Sequence, residues 1–524
     1  MKKFLFLFVF LSLFFAGKAQ QRNVILIIAD DLGSDYCGFN ANHLDTAKMP
    51  NVRRLLARGV HFRNAWAHPL CSPTRAGILT GRYSFRTGVG DVVGPAVSLD
   101  TAELTIPKLL NRYKPNGIAK GHIGKWHLQQ FSAANYLNPN KMGYDHYEGN
   151  MAGMVASYTN WLKVTNGVAM TITNYATTET VNNALTWLKN QDASKPFFLW
   201  LAFNSPHTPH HLPPANLHSS TNLSGTAADI TANPKLYFKA MIEAMDTEIG
   251  RLFDSLQVQQ KWNNTDIIFI GDNGNESTTA QRTGGAKGGI TEQGISVPFI
   301  ISGPSVVNPN RVSNTMVHTT DLFATILELF GYTTWQSQIA ANKPVDSRSM
   351  LPIVKNQTTE VRAWNFTEIF RTPGIATDGK TMRNAAYKLL DLNNGTQRFY
   401  KIDTDTLETT NLLTRNLNAT ETTNYNYLCN QMTTLVGTGG FCTLTPTHEV
   451  NPTENLEVYP NPFWDFIKIE NTVGAETYKL YGVLGRVYFE GKNIQNRNFT
   501  DLPKGIYYLE IENKGKKIVK LIKD

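Results

Sequence analysis

Several short stretches of this chain are almost unbroken in apolar character: Asn23 to Ala29 (NVILIIA), Pro196 to Phe203 (PFFLWLAF), Asp266 to Ile270 (DIIFI) and Val297 to Ile301 (VPFII). Branched and aromatic runs of that length, without polar alternation, suit strands buried on both faces. Between them, apolar residues recur at helical spacing, as in Thr178 to Lys189 and Tyr237 to Leu256. Alternating strands and helices predict an α/β fold with a large, mostly parallel sheet sandwiched by helices. Such a sheet carries its chemistry just beyond the carboxyl ends of its strands. Three of the runs fit that rule. The first opens into Asp30-Asp31, the second into Ser205 to His211 (SPHTPHH), and the third into Gly271-Asp272-Asn273-Gly274.

The pattern changes further along. From about residue 361 the strands become shorter, as in Tyr387 to Leu390 and Arg398 to Ile402, which predicts a smaller α+β subdomain over 361–442. A linker rich in Thr, Pro and Asn fills 443–455, and short alternating strands from 456 to 524 predict a small β-sandwich. At the other end, Lys2 and Lys3 precede an apolar run that finishes in Ala16-Gly17-Lys18-Ala19. A basic start, a short greasy centre and a small-residue end read as a secretory signal over 1–19, with 20–360 left for the main domain.

Composition narrows the picture in two respects. The net charge of +8 includes the three lysines of the leader, leaving a mild excess that favours anionic partners. No lysine/arginine block is interleaved with aromatics, so nucleic acid is not expected as a partner. Four cysteines, Cys37, Cys71, Cys429 and Cys442, are too few for a disulfide scaffold; only Cys429 and Cys442 are close enough in sequence to suggest a pair.

Cys71 begins the segment Cys71-Ser72-Pro73-Thr74-Arg75. Pro73 suits the first turn of a helix, and a reactive group there would meet unpaired N–H groups and the positive end of the helix dipole. Arg75 adds a permanent forked cation. On residue type alone, a single cysteine is more often a buried structural residue. The segment, followed by Leu79-Thr80-Gly81-Arg82, resembles the first signature of the formylglycine-dependent type I sulfatases, arylsulfatase-like members of the alkaline phosphatase superfamily. Gly117 to His127 (GIAKGHIGKWH) resembles their second signature, chiefly at Gly124-Lys125-x-His127, and departs from it at Ile118 and Lys120.

The resemblance implies a sulfuric ester hydrolase whose Cys71 is oxidised to formylglycine by a separate maturation enzyme. It also implies a catalytic set of Cys71, Arg75, Lys125, His127, His207 and Lys287. The oxygen-rich quartet Asp30, Asp31, Asp272 and Asn273 suits a hard cation better than zinc, although paired aspartates can equally cap a turn. By resemblance these four, with residue 71, bind Ca²⁺ in preference to Mg²⁺. His210 and His211 read as exposed loop residues, and His318 and Asp321 as structural members of a helical segment, Val317 to Leu329. Ser296 stands where the family pattern has an arginine. Phe399 to Asp403 and Glu408 to Leu412 are similar to its C-terminal pattern. Phosphonate monoester and phosphodiester hydrolases use the same nucleophile and are the alternative activity.

The terminal segment has a resemblance of its own. Tyr459-Pro460-Asn461-Pro462-Phe463, Leu480 to Arg486 (LYGVLGR), Leu502 to Tyr508 (LPKGIYY) and the basic end Lys516 to Lys523 are similar to the sorting domain of type IX secretion in Bacteroidetes-type bacteria. It implies the type IX machinery as a partner, a secreted or outer-surface location, and a sulfated poly- or oligosaccharide as substrate.

Overall fold

In a computed structural model, the residues described are 22–40, 45–282, 286–371, 373–437, 457–470, 476–483, 485–512 and 516–524. The leader at 1–19, Cys442 and the linker at 443–455 lie outside them. The chain forms two compact units, 1–411 and 412–524.

The first unit is built on ten strands: β1 (Asn23–Ala29), β2 (Gly59–Trp66), β3 (Ala119–Gly124), β4 (His146–Gly149), β5 (Trp161–Thr165), β6 (Val168–Ile172), β7 (Phe197–Ala202), β8 (Thr265–Gly271), β9 (Phe299–Ser302) and β10 (Arg311–His318). They lie side by side in the order β10-β2-β9-β8-β1-β7-β3-β4-β5-β6. The contiguous strands β8, β1, β7, β3 and β4 are parallel. Alternation along β1 explains why its sequence is apolar throughout. Val24, Leu26 and Ile28 enter the core on one face, and Ile25, Ile27 and Ala29 enter the core on the other. Each such side chain taken fully out of water stabilises the fold by about 1.5–3 kcal/mol. Helices Ala176–Lys189 and Pro234–Val258 cover one face, and helices Ile106–Tyr113 and Leu322–Leu329 cover the other.

One strand departs from the parallel set, and one local expectation is corrected. The Val297 to Ile301 run does supply a strand, β9, but it is antiparallel to both its neighbours, β2 and β8. The chain leaves β8 at its carboxyl end and re-enters the sheet from the same edge, so β9 must run backwards. Val317 and His318 are not helical; they finish β10, and the helix starts at Leu322. The His318 side chain accepts from the Thr320 N–H, while the Asp321 carboxylate accepts from the His318 N–H. This reciprocal cap separates strand from helix in a run whose apolar spacing suits either.

A second, antiparallel sheet in this unit runs in sequence order through β11 (Asn365–Ile369), β12 (Gly379–Arg383), β13 (Lys388–Leu392) and β14 (Gln397–Tyr400). Glu368 of β11 is buried and accepts the Phe85 N–H at 2.7 Å. Burial pushes its carboxyl from 4.5 up to about 7. The folded unit therefore holds this proton more tightly than the unfolded chain does. The stabilisation is full below pH about 4.5 and is lost as pH rises through about 7. Glu368→Gln should flatten that part of the stability profile and raise the melting temperature at pH 8, with an upper limit of about 3 kcal/mol. Melting curves of both proteins across pH 5 to 8 check this; parallel profiles would refute it.

The second unit holds a helix, Ala419–Val436, opened by a reciprocal cap between Asn418 and Glu421 and closed at Gly437 (φ 77°). It also holds two antiparallel sheets. One pairs β15 (Glu457–Tyr459) with β16 (Lys468–Glu470). The other orders β17 (Thr477–Gly482), β18 (Val487–Gly491), β19 (Gly505–Glu512) and β20 (Lys516–Lys523) as β18-β17-β19-β20. Phe463, Leu480, Phe499, Leu509, Ile511 and Leu521 are among its core residues. No helix among the described residues is long and apolar enough to cross a membrane.

Candidate active site

Register brings the site together. Ala29 pairs with Gly271, Ile28 with Ala202, and Ala202 with Gly124, so β8, β1, β7 and β3 end almost level. The next residues along each chain path, Asp272 and Asn273, Asp30 and Asp31, the Ser205–His207 turn, and Lys125 to His127, therefore emerge at one edge. β2 runs in the same direction as β8, because each is antiparallel to β9. It delivers Cys71 to this edge as the first residue of the helix Cys71–Thr80, every residue of which is buried.

The side chains then interlock. Cys71 Sγ lies 3.2 Å from His127 Nδ1. Ser72 Oγ donates to the His127 carbonyl at 2.9 Å, tying the helix start to the strand end. Arg75 donates from Nε and Nη2 to Asp272 Oδ2 (3.2 and 2.8 Å) and from Nη1 to the Lys125 carbonyl at 2.8 Å. Lys125 Nζ donates to Asp30 Oδ2 at 2.6 Å, and Lys287 Nζ to Asp31 Oδ2 at 2.8 Å. His207 Nε2 faces the same Asp31 oxygen at 3.6 Å, and its Nδ1 lies 2.9 Å from the Thr208 carbonyl. That carbonyl can only accept, so Nδ1 carries a proton and Nε2 is the nitrogen turned toward the carboxylates. Every residue expected at the site is thus in one cluster.

The donor set fits an oxygen-seeking cation. Asp30 Oδ1 and Asn273 Oδ1 are buried acceptors with no hydrogen-bond partner. Buried acceptors left in that state are costly unless something positive reaches them. Asp31 is anchored at both ends: its N–H donates to Asp272 Oδ1 (3.0 Å), and its Oδ1 accepts from Asn273 Nδ2 (2.7 Å). One donor atom each from Asp30, Asp31 and His207 lies within 4.8 Å of the others. Carboxylate and amide oxygens dominate, which matches Ca²⁺ or Mg²⁺ coordination chemistry.

Burial sets the electrostatics. It raises the Cys71 thiol, against the pull of Lys125 and Lys287, and raises the Asp30 carboxyl, against Lys125. It would raise Asp31 as well, but His207, Lys287 and Lys125 together hold that carboxyl below the usual range. His127 is kept neutral by burial and by the neighbouring Lys125 and Arg75. His207 is lowered by burial to about 4, with Asp31 opposing the shift. Asp31 outweighs burial at Lys287 and holds its ammonium charged. An unactivated thiol beside a neutral imidazole is a poor nucleophile as it stands, and the three cations near it are each paired with a carboxylate, so a bound metal ion would be what turns the balance toward an anion.

His210 and His211 are half-buried, not exposed. His211 stacks on Tyr158 (4.2 Å between ring centres) and its Nε2 lies 3.0 Å from the Tyr175 hydroxyl, while His210 packs edge-on to Phe238. His318 and Asp321 are structural, as expected: Asp321 pairs with Arg362 in the interior. Ser296 shares a 3.0 Å hydroxyl contact with Ser34, and its carbonyl accepts the Ser34 N–H.

Several contributors carried no signal in the sequence. Tyr158 donates from its hydroxyl to the carbonyls of Asn204 and His207 (2.6 and 2.8 Å), bracing the turn that holds the histidine. Gly153 backs the His127 ring so closely that an added Cβ would sit 2.7 Å from Nε2. Glu276, three residues beyond Asn273, accepts from Thr208 Oγ1 at 3.3 Å and lies 4.0 Å from Lys287 Nζ. Only a scan of the residues just past each strand end would have drawn attention to it.

Comparison with known proteins places the chain in a family. The family model described as Sulfatase matches residues 22–332, and the one described as Secretion system C-terminal sorting domain matches residues 457–524. Arylsulfatase J of Mus musculus is 28% identical over 337 residues, 60% of this chain and 54% of the relative. N-acetylgalactosamine-6-sulfatase of Homo sapiens is 27% identical over 375 residues, 64% of this chain and 66% of the relative. The chain thus spans less than two thirds of the length of these curated relatives. Among solved structures, Ps i-CgsB in complex with k-i-k-neocarrahexaose is 26% identical with a TM-score of 0.66, covering 80% of this chain and 93% of that one. A sulfatase from a Pseudoalteromonas species shares the fold, with a TM-score of 0.64 at 18% identity over 79% of this chain and 90% of that one. Since the Sulfatase match takes in well over half of the chain, including every strand end that builds the cluster, this protein belongs to the sulfatase family.

Proposed function

We propose that this protein is a secreted sulfuric ester hydrolase that removes sulfate from an extracellular sulfated carbohydrate. The observation that supports it most is the position of Cys71, first in a buried helix, 3.2 Å from a neutral His127 and facing Arg75, Lys125 and Lys287. Oxidised to formylglycine by a maturation enzyme, residue 71 would supply a hydrated aldehyde with a hydroxyl able to attack sulfur. Calcium, held by Asp30, Asp31, Asp272, Asn273 and residue 71, would supply positive charge toward sulfate oxygens.

The chain's own residues account for the rest. Lys125 and Lys287 bring fixed positive charge to the non-bridging sulfate oxygens, where charge builds in the transition state. Arg75 holds Asp272 in place and adds its own field. His207, with Nδ1–H committed to Thr208, has a bare Nε2 before substrate binds; it takes up a proton there when the negative sulfate ester binds beside it, and passes that proton to the leaving alcohol oxygen. His127 accepts a proton at Nδ1 from the group on residue 71, which its low basicity allows it to release again. A carbohydrate substrate is supported by the relative named N-acetylgalactosamine-6-sulfatase and by the k-i-k-neocarrahexaose in complex with Ps i-CgsB. The sorting-domain match supports export by the type IX machinery to the medium or outer surface. The labour along the chain is then divided among a signal at 1–19, a catalytic domain at 20–360, a subdomain at 361–442, a linker at 443–455 and a sorting domain at 456–524.

Relative rates test this reading against phosphonate or phosphodiester hydrolysis. Matured protein should turn over 4-nitrocatechol sulfate faster than an aryl phosphonate monoester, and the reverse order would overturn it. Calcium should also raise the melting temperature. At 100 times its Kd the ion stabilises by about 2.7 kcal/mol. Asp31→Asn should abolish that increment, and an equal increment in the variant would remove Asp31 from the ligand set.

A further inference from the structure

Moving outward from the carboxylates, side chains become progressively more exposed along one wall of the site. Asp31 is at 0%, His207 at 8%, Lys287 at 15% and Glu276 at 27%. Glu276 is therefore the outermost of the four, beyond the histidine that faces the leaving alcohol and the lysine that meets the sulfate oxygens in the function proposed above. Its Oε1 is anchored by Thr208 Oγ1 at 3.3 Å, and that hydroxyl also lies 3.2 Å from His207 Nδ1. No hydrogen bond among the described residues reaches Oε2. The interior sets Arg75, Lys125 and Lys287 against Asp272, Asp30 and Asp31, a balance that the cation proposed above would tip toward holding one anion. A carboxylate at the outer edge of such a site has two consequences. It accepts a hydrogen bond from a neutral hydroxyl, and it repels a second negative group brought to the same place.

We infer that Glu276 determines specificity by reading the position next to the scissile sulfate on the leaving sugar: a free hydroxyl is accepted there and a second sulfate is refused. The inference rests on the sulfate-ester reading and deepens it, by naming singly sulfated units as the preferred class over vicinally disulfated ones.

The test uses the full matured chain and its Glu276→Gln variant. Glutamine keeps the oxygen that meets Thr208 and removes the charge. The readout is the ratio of kcat/KM on hexose monosulfates to that on hexose disulfates with the second sulfate on the adjoining carbon. That ratio does not depend on the fraction of folded or matured enzyme. The parent should favour monosulfates, and the variant's ratio should fall by at least about tenfold because the disulfate rate rises. An unchanged ratio, with the parent active, would overturn the role of Glu276 alone. A parent with no activity on 4-nitrocatechol sulfate or any hexose sulfate would overturn the sulfatase reading and the inference with it.

Discussion

Cys71→Ala is expected to reduce turnover by about 10⁴-fold or more while leaving the fold intact. Removing the covalent nucleophile of an enzyme that works through one costs losses of that order. The side chain is small, buried and replaced by one slightly smaller, and its one side-chain hydrogen-bond contact among the described residues is to His127. Melting behaviour should therefore change by no more than about 1–2 kcal/mol. Cys71→Ser should be equally inactive unless the maturation enzyme oxidises serine. Steady-state rates beside a melting curve check both claims. Activity within about tenfold of the parent would remove residue 71 from the chemistry.

Arg75→Ala carries the largest expected cost in stability. The guanidinium is completely buried, donates twice to Asp272, once to the Lys125 carbonyl, and lies 3.8 Å from Asp30 Oδ1. Without it, Asp30, Asp31 and Asp272 remain in the interior with only Lys125 and Lys287 opposite them. Breaking a buried pair by removing one partner costs about 3–5 kcal/mol. Arg75→Met, which restores most of the volume, should recover only the packing part of that loss. Urea unfolding of the two variants measures the difference. Parent-like stability in Arg75→Met would mean that the charge balance does not depend on this residue.

Much of this site is legible in the order of residues alone, and the reasons are local. β1, β7 and β8 are buried on both faces, so their sequences have to be continuously apolar, and the residues just past such runs are where an α/β sheet does its chemistry. The Cys71 motif and the Lys125-x-His127 pair are recognisable by resemblance. The strand leading to that pair is not. β3 reads AKGHIG, with a lysine, a histidine and two glycines in a buried strand. Tertiary partners make it possible: Lys120 pairs with Asp145 at 2.9 Å, the ring of His122 stacks on Trp200, and Gly121 leaves room for Trp187. None of those contacts is local in sequence. The β5–β6 hairpin is the opposite case, legible through its Asn166-Gly167 turn with both residues at positive φ, yet hidden among loops by its short strands. Tyr158 and Glu276 act through contacts with residues far away in the chain, which no spacing rule reports.

The central claim is that residue 71, as formylglycine, makes this chain hydrolyse sulfate esters of an exported glycan. The most direct measurement is inorganic sulfate released from a panel of sulfated oligosaccharides, quantified by ion chromatography, with the mass of the peptide containing residue 71 determined on the same sample. The account predicts sulfate release from at least one glycan class, in proportion to the fraction of residue 71 converted. Full conversion with calcium bound and no sulfate from any glycan, together with turnover of a phosphonate ester, would contradict it.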